Sequence, residues 1–169
     1  MWISIWTIKG FCDKKGIARQ LTIFYTPQQN GVAEKRNKTL LDMVRSMMAQ
    51  AKLSIFFWRD ALLIATYILN RVSSKSVSST PYKLWNGEKP DLGNLHLWGC
   101  AAYVHNNSHQ YGKLGLRGKK CIFIRYSELS KGLVVVGEKA DGRVTEFESR
   151  DVVFLEEDYP MRGEIDKDF

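Results

Sequence analysis

Long apolar runs are missing from this chain. The longest, ALLIATYIL at 61–69, has Arg59 and Asp60 just ahead of it and falls far short of the roughly 20 residues a membrane-spanning helix needs. No membrane partner is therefore expected. The first residues, MWISIWTIKG, have neither the extended apolar core nor the small-residue cleavage site of a secretory leader. Cysteine is scarce. Cys12, Cys100 and Cys121 are odd in number, far apart and free of any CxxC spacing, which excludes a disulfide framework and predicts buried thiols in a reducing compartment. The three histidines, His96, His105 and His109, form no ligand pattern with them, so a zinc site is not expected.

What is present is a chain of 169 residues, 44% hydrophobic and 12% aromatic, enough for a packed core in one domain or two small ones. Its net charge of +7 is unevenly placed: residues 1–93 hold 14 Lys and Arg against 6 Asp and Glu, whereas residues 94–169 hold 11 against 12. An excess confined to one half favours a polyanionic partner.

Hydrophobic spacing organises the chain into a helical half and a β half. GIARQLTIFY at 16–25 alternates enough to predict a short strand, and the polar TPQQNG after it a loop. From Val32 to about Lys52 the apolar residues Leu40, Val44, Met47, Met48 and Ala51 recur at helical spacing, with Lys35, Lys38, Asp42, Ser46 and Gln50 on the other side. Basic residues crowd the N-terminal end of this helix, where the macrodipole prefers acidic ones. Ser54 is expected to cap a second helix over 57–71, VSSKSVSS at 72–79 to be a loop, and Thr80–Pro81 with Gly87 to bracket a short helix. After Pro90 the texture changes. GCAAYVH, KKCIFIRY, GLVVVG, RVTEFE and DVVFLEE predict five short strands, with Asp141–Gly142 as a hairpin signal, and together suggest a small barrel. Trp98, Tyr103, Phe123, Ile124 and Val153 are its expected core. The acidic tail from 158 to 169 is expected to fray.

One carboxylate stands out. At about 100° per residue, Glu34 falls at the rim of the apolar helix face beside Asn37 and Leu41. Two readings are open: a solvated charge paired with Lys38 four residues on, worth only about 0.3–0.5 kcal/mol, or a side chain aimed at a site.

The residues around it bear on that choice. YTPQQNGVAEKRN at 25–37 resembles the segment carrying the last acidic residue of copia-type retrotransposon integrases. FCDKKGIARQLT precedes it, and FW, LNR, TPYKLWNGEKP and LHLWGC follow in the order that family shows them. KKCIFIRYSELSKG and RDVVF resemble the Src-homology-3-like domain that comes after the integrase core in those polyproteins. The similarity spans residues 9–157. It departs at Arg125, where glycine is frequent, and at GLVVVG, where a tyrosine-containing strand is usual.

The resemblance implies an α+β chain: the terminal strand and helices of an RNase H-like integrase core over residues 1–93, then a five-stranded Src-homology-3-like barrel over 97–157 and an acidic tail over 158–169. It implies that Glu34 is the third carboxylate of an Asp, Asp, Glu triad holding two Mg²⁺ ions, hard cations that take oxygen ligands and clamp attacking and leaving oxygens. The family's two aspartates lie upstream, and MWISIWTIKG does not contain them. Asp13 in the FCDKKG turn, Asp42 on the polar helix face and Asp60 at a helix start are poor substitutes. The implied activity is Mg-dependent joining of element DNA to target DNA, an activity this chain is not expected to show alone. The implied partners are both DNAs and a second copy through the core, and the implied place of action on chromosomal DNA is the nucleus. Gln28, Gln29, Asn30 and Gly31 are expected in a loop that meets the DNA end. Asn37 and Lys38 are placed to reach phosphate or base, Lys35 and Arg36 to attract phosphate without specificity, and Lys119, Lys120 and Arg125 to touch nucleic acid from the barrel. A non-catalytic nucleic-acid-binding or assembly module is the alternative.

Overall fold

A computed structural model describes residues 5–19, 21, 23–73, 78–105, 118–127, 130–138 and 142–162. The chain divides into two compact units, residues 1–38 and 39–169.

In the first unit, helix α1 spans Ile5–Lys14. Gly16, at φ 65°, turns the chain out of it while Ile17 N–H donates to the Cys12 carbonyl at 2.9 Å, the left-handed stop that glycine supplies without a side-chain clash. Asp13 therefore sits in the last turn of a helix rather than in the expected FCDKKG turn. The strand expected over 16–25 is not formed among the described residues, and Phe24 and Tyr25 are 91% and 101% exposed. The reason is that a strand is stable only against a neighbour, and no other described segment of this unit is extended into a ladder. Pro27–Asn30 form a single 3₁₀ turn that feeds directly into helix α2, Gly31–Ala51.

The second unit joins the C-terminal part of α2 to helix α3, Trp58–Arg71, short helix α4, Pro81–Asn86, and a five-stranded sheet. The helical periodicity is confirmed: Val44 and Ala51 are buried, while Asp42, Ser46 and Gln50 are exposed. Ser54 makes no side-chain cap bond and instead precedes a 3₁₀ turn, Ile55–Phe57. Thr80 does cap α4, its Oγ1 accepting from Lys83 N–H at 3.1 Å, and Gly87 at φ 80° closes it.

The strands are β1 Ala101–His105, β2 Gly118–Tyr126, β3 Leu133–Glu138, β4 Val144–Ser149 and β5 Val152–Leu155, all antiparallel in the order β4-β3-β2-β1-β5. Of the hairpin signal, Asp141 lies outside the described residues; Gly142 has φ 78°. Edge strands β4 and β5 are joined by only Arg150 and Asp151. That link spans at most about 11 Å, whereas the outer strands of a flat five-stranded sheet stand about 19 Å apart. The sheet is therefore curled, bringing its two edges together at this corner.

Central strand β2 buries Cys121 through Ile124 without a break. Simple alternation would expose two of the four. A bulge between Phe123 and Arg125 inserts Ile124 into the ladder, and α3 packs against the strand. Phe123, Ile64 and Val135 are fully buried, each contributing about 1.5–3 kcal/mol relative to exposure. Trp98 is also core, its indole N–H donating to the Ile124 carbonyl at 2.8 Å. Tyr103 is half-buried, and Val153 is 67% exposed because its register partner Tyr103 faces the same outer side. Val153 is thus not the core residue expected. The tail begins docked rather than frayed: Ala101 N–H donates to the Asp158 carbonyl at 2.7 Å, and Gln50 Nε2 donates to Tyr159 OH at 2.6 Å.

Candidate nucleic-acid interface

The segment from Ile23 to Lys38 is built around a tight local turn. Thr26 Oγ1 donates to the Ile23 carbonyl at 2.6 Å, and Gln29 Oε1 accepts from Ile23 N–H at 3.2 Å. Gln29 therefore spends its amide oxygen on holding the turn, while Gln28 and Asn30 are exposed in the 3₁₀ turn. Glu34 lies in the first turn of α2 and is exposed, with Asn37 one turn further on the same side. An acidic group there is favourable to the macrodipole, which moderates the unfavourable end charge inferred from the sequence; Lys35, Arg36 and Lys38 follow it, all exposed. Glu34 makes no ion pair with a described residue, Lys38 included. Among the described residues no group of three His, Cys, Asp or Glu side chains is placed to hold a metal ion.

The aspartates considered as substitutes have other partners or positions. Asp42 pairs with Arg45 at 3.2 Å on the solvent face. Asp60 is buried, and its Oδ1 accepts from Arg125 Nη1 at 2.7 Å, while Arg125 Nη2 reaches Glu146 Oε2 at 2.8 Å. Glu146 and Asp60 together hold the Arg125 pKa above its usual value. Arg125 is thus a tie between α3, β2 and β4.

Lys119 and Lys120 are also engaged within the chain. Lys120 pairs with Asp158 at 2.7 Å, which raises its pKa, and the Lys119 ammonium lies 4.2 Å from the centre of the Phe147 ring. The LHLWGC stretch serves packing. His96 stacks on Phe154 at 3.6 Å and bonds Glu156 at 3.0 Å through Nδ1. Tyr126 OH receives a bond from His96 N–H and donates to the Asn94 carbonyl at 2.7 Å. Gly99, at φ 79°, lies so close to Ala51 that a Cβ there would collide with the alanine's own. Burial pushes the Cys100 thiol up to about 11 and raises Cys121 as well.

A pocket not foreseen from the sequence lies where α3 ends. Arg71, Tyr82, Trp85, Asn70, Asn86 and Pro81 line a pocket of about 320 Å³. Its lining residues all come from the LNR and TPYKLWNGEKP stretches, whose order was read from the sequence but whose juxtaposition was not.

No helix among the described residues is long and apolar enough to cross a membrane. Residues 100–167 match the family model of the retroviral polymerase SH3-like domain. The chain is 36% identical over 147 residues to a retrovirus-related Pol polyprotein from transposon TNT 1-94 of Nicotiana tabacum, covering 86% of this chain and 11% of that protein. It is 25% identical over 155 residues to the Pol polyprotein from transposon RE2 of Arabidopsis thaliana, covering 91% and 10%. An uncharacterised mitochondrial protein of Arabidopsis thaliana is 34% identical over 85 residues, covering 50% of this chain and 68% of that protein. The chain thus spans about a tenth of the length of the Pol polyproteins it matches.

Proposed function

Since the chain belongs to the Pol polyproteins of copia-type retrotransposons, we propose that its helical half is the closing part of an RNase H-like integrase core and that Glu34 is one ligand of that core's Mg²⁺ site. The observation that carries this reading is the placement of Glu34. It stands exposed in the first turn of α2, directly after the turn bearing Gln28 and Asn30 and beside Asn37, in the segment whose residues resemble the integrase motif. DNA is the partner the surrounding groups suit: amides for base edges, and Lys35 and Lys38 for phosphate.

The described residues do not supply a set of carboxylates for the metal pair. A two-ion site needs several carboxylates, Asp42 and Asp60 are paired elsewhere, and no described cluster completes the set. On this reading the joining of element DNA to target DNA needs two further carboxylates beside Glu34, and no joining by residues 1–169 alone is expected. A strand-transfer assay with purified residues 1–169 and Mg²⁺ tests this: no joined product is expected, and robust joining abolished by Glu34→Gln would overturn it.

The charge imbalance favours a second reading, a nucleic-acid-binding module without catalysis. Its binding would be indifferent to Mg²⁺ and to Glu34→Gln, and would weaken steeply with salt.

A further inference from the structure

We propose that the pocket between the end of α3 and α4 binds a single-stranded nucleic acid, stacking one unpaired base on Trp85 and holding its phosphate at Arg71. Arg71 is unusually well fixed for a half-exposed cation. Its guanidinium carbon lies 3.4 Å from the centre of the Tyr67 ring and 4.7 Å from that of Tyr82, and Nη1 donates to the Tyr67 carbonyl at 3.2 Å. The planar group is thereby oriented by two rings and one bond. No described carboxylate pairs with it, so its positive charge is not neutralised within the described part of the molecule.

Trp85 supplies the other half of the site. It is 68% exposed on a helix fixed at both ends by the Thr80 cap and Gly87. A large indole and a pinned guanidinium lining one pocket offer a stacking face and an anion donor together, the pairing that recognises a base with its phosphate. Asn86 donates Nδ2 to the Tyr82 carbonyl at 3.2 Å, which leaves its amide oxygen as an acceptor for a base edge. Lys83 and Lys89 add positive charge nearby against Glu88. A proline-rich peptide would use the rings and leave the guanidinium unanswered, so the charged ligand is favoured. This site is separate from Glu34 and does not rest on the integrase reading.

The test uses the whole chain and a fluorescently labelled dT10, with an abasic ten-mer and free dTMP as comparisons. Trp85→Leu, which leaves the core untouched, and Arg71→Lys, which keeps the charge but loses the fork, are each expected to weaken dT10 binding at least about fivefold, in line with one stacked base. The abasic strand should bind about as weakly as Trp85→Leu. Val144→Thr, at an exposed position of β4 outside both sites, should leave this affinity unchanged. Equal binding by wild type and both pocket variants would overturn the proposal. So would dTMP binding as tightly as dT10, which would assign the pocket to a mononucleotide, or a proline-rich peptide displacing dT10 from it.

Discussion

At Gly99 two demands fall on one residue. Its backbone is left-handed, and the end of α2 approaches so closely that Ala51 occupies the space a Cβ would need. Gly99→Ala is expected to cost about 2–4 kcal/mol, from strain at positive φ together with overpacking of the core, and would appear as a lower urea midpoint with an unchanged slope. Cys100 next to it makes a different prediction. Its thiol is fully buried, and the pKa of about 11 lies above the ordinary 9.0. A raised folded pKa gives stability that is complete below pH 9.0 and is lost as pH climbs toward 11. Thermal melts between pH 8 and 11 should show this decline, reduced in Cys100→Ala. The cysteines' burial was legible from their scarcity and spacing. The need for glycine at 99 was not, because it arises from Ala51, a residue 48 positions away in the chain.

At the level of elements, the five strands, α2, α3 and α4 were readable because each carries its own period or its own cap. The strand expected over 16–25 was not. Alternation marks which side chains share a face, but a ladder also requires a partner backbone, and sequence periodicity is silent on that. The tie between α3 and the sheet was hidden for a related reason. Asp60 and Arg125 read as a helix-start acid and a barrel-surface base, and only the packing of α3 on β2 turns them into a pair with Glu146. Asp60→Ala leaves a three-quarters buried guanidinium with one partner. A loss of about 1–3 kcal/mol is expected, less than for a fully buried pair because Glu146 and solvent still serve Arg125. A double-mutant cycle with Arg125→Met and denaturation of all four proteins would measure the coupling, and additivity of the two changes would refute the tie.

Across the whole molecule, the positive excess lies in residues 1–93, while the barrel cations Lys119, Lys120 and Arg125 are occupied by Phe147, Asp158, Asp60 and Glu146. Duplex DNA binding, measured by titration, should therefore follow substitutions in the helical half. Lys35→Gln with Lys38→Gln is expected to lower affinity and flatten its salt dependence, while Lys120→Gln should do little. The family and the position of Glu34 were legible because short motifs kept their order. Whether Glu34 has carboxylate neighbours is a question of three-dimensional placement, and its own segment carries no trace of the answer. The curled sheet has a consequence for how the chain reaches its native state. Strand β1 pairs with β2 on one side, but its other side waits for β5, with Ala101 opposite Leu155. That contact closes a loop of about fifty residues, and pairings so distant in the chain slow folding. Until it forms, β1 offers an unsatisfied backbone edge to any other chain, so the period before β5 arrives is when aggregation is most probable.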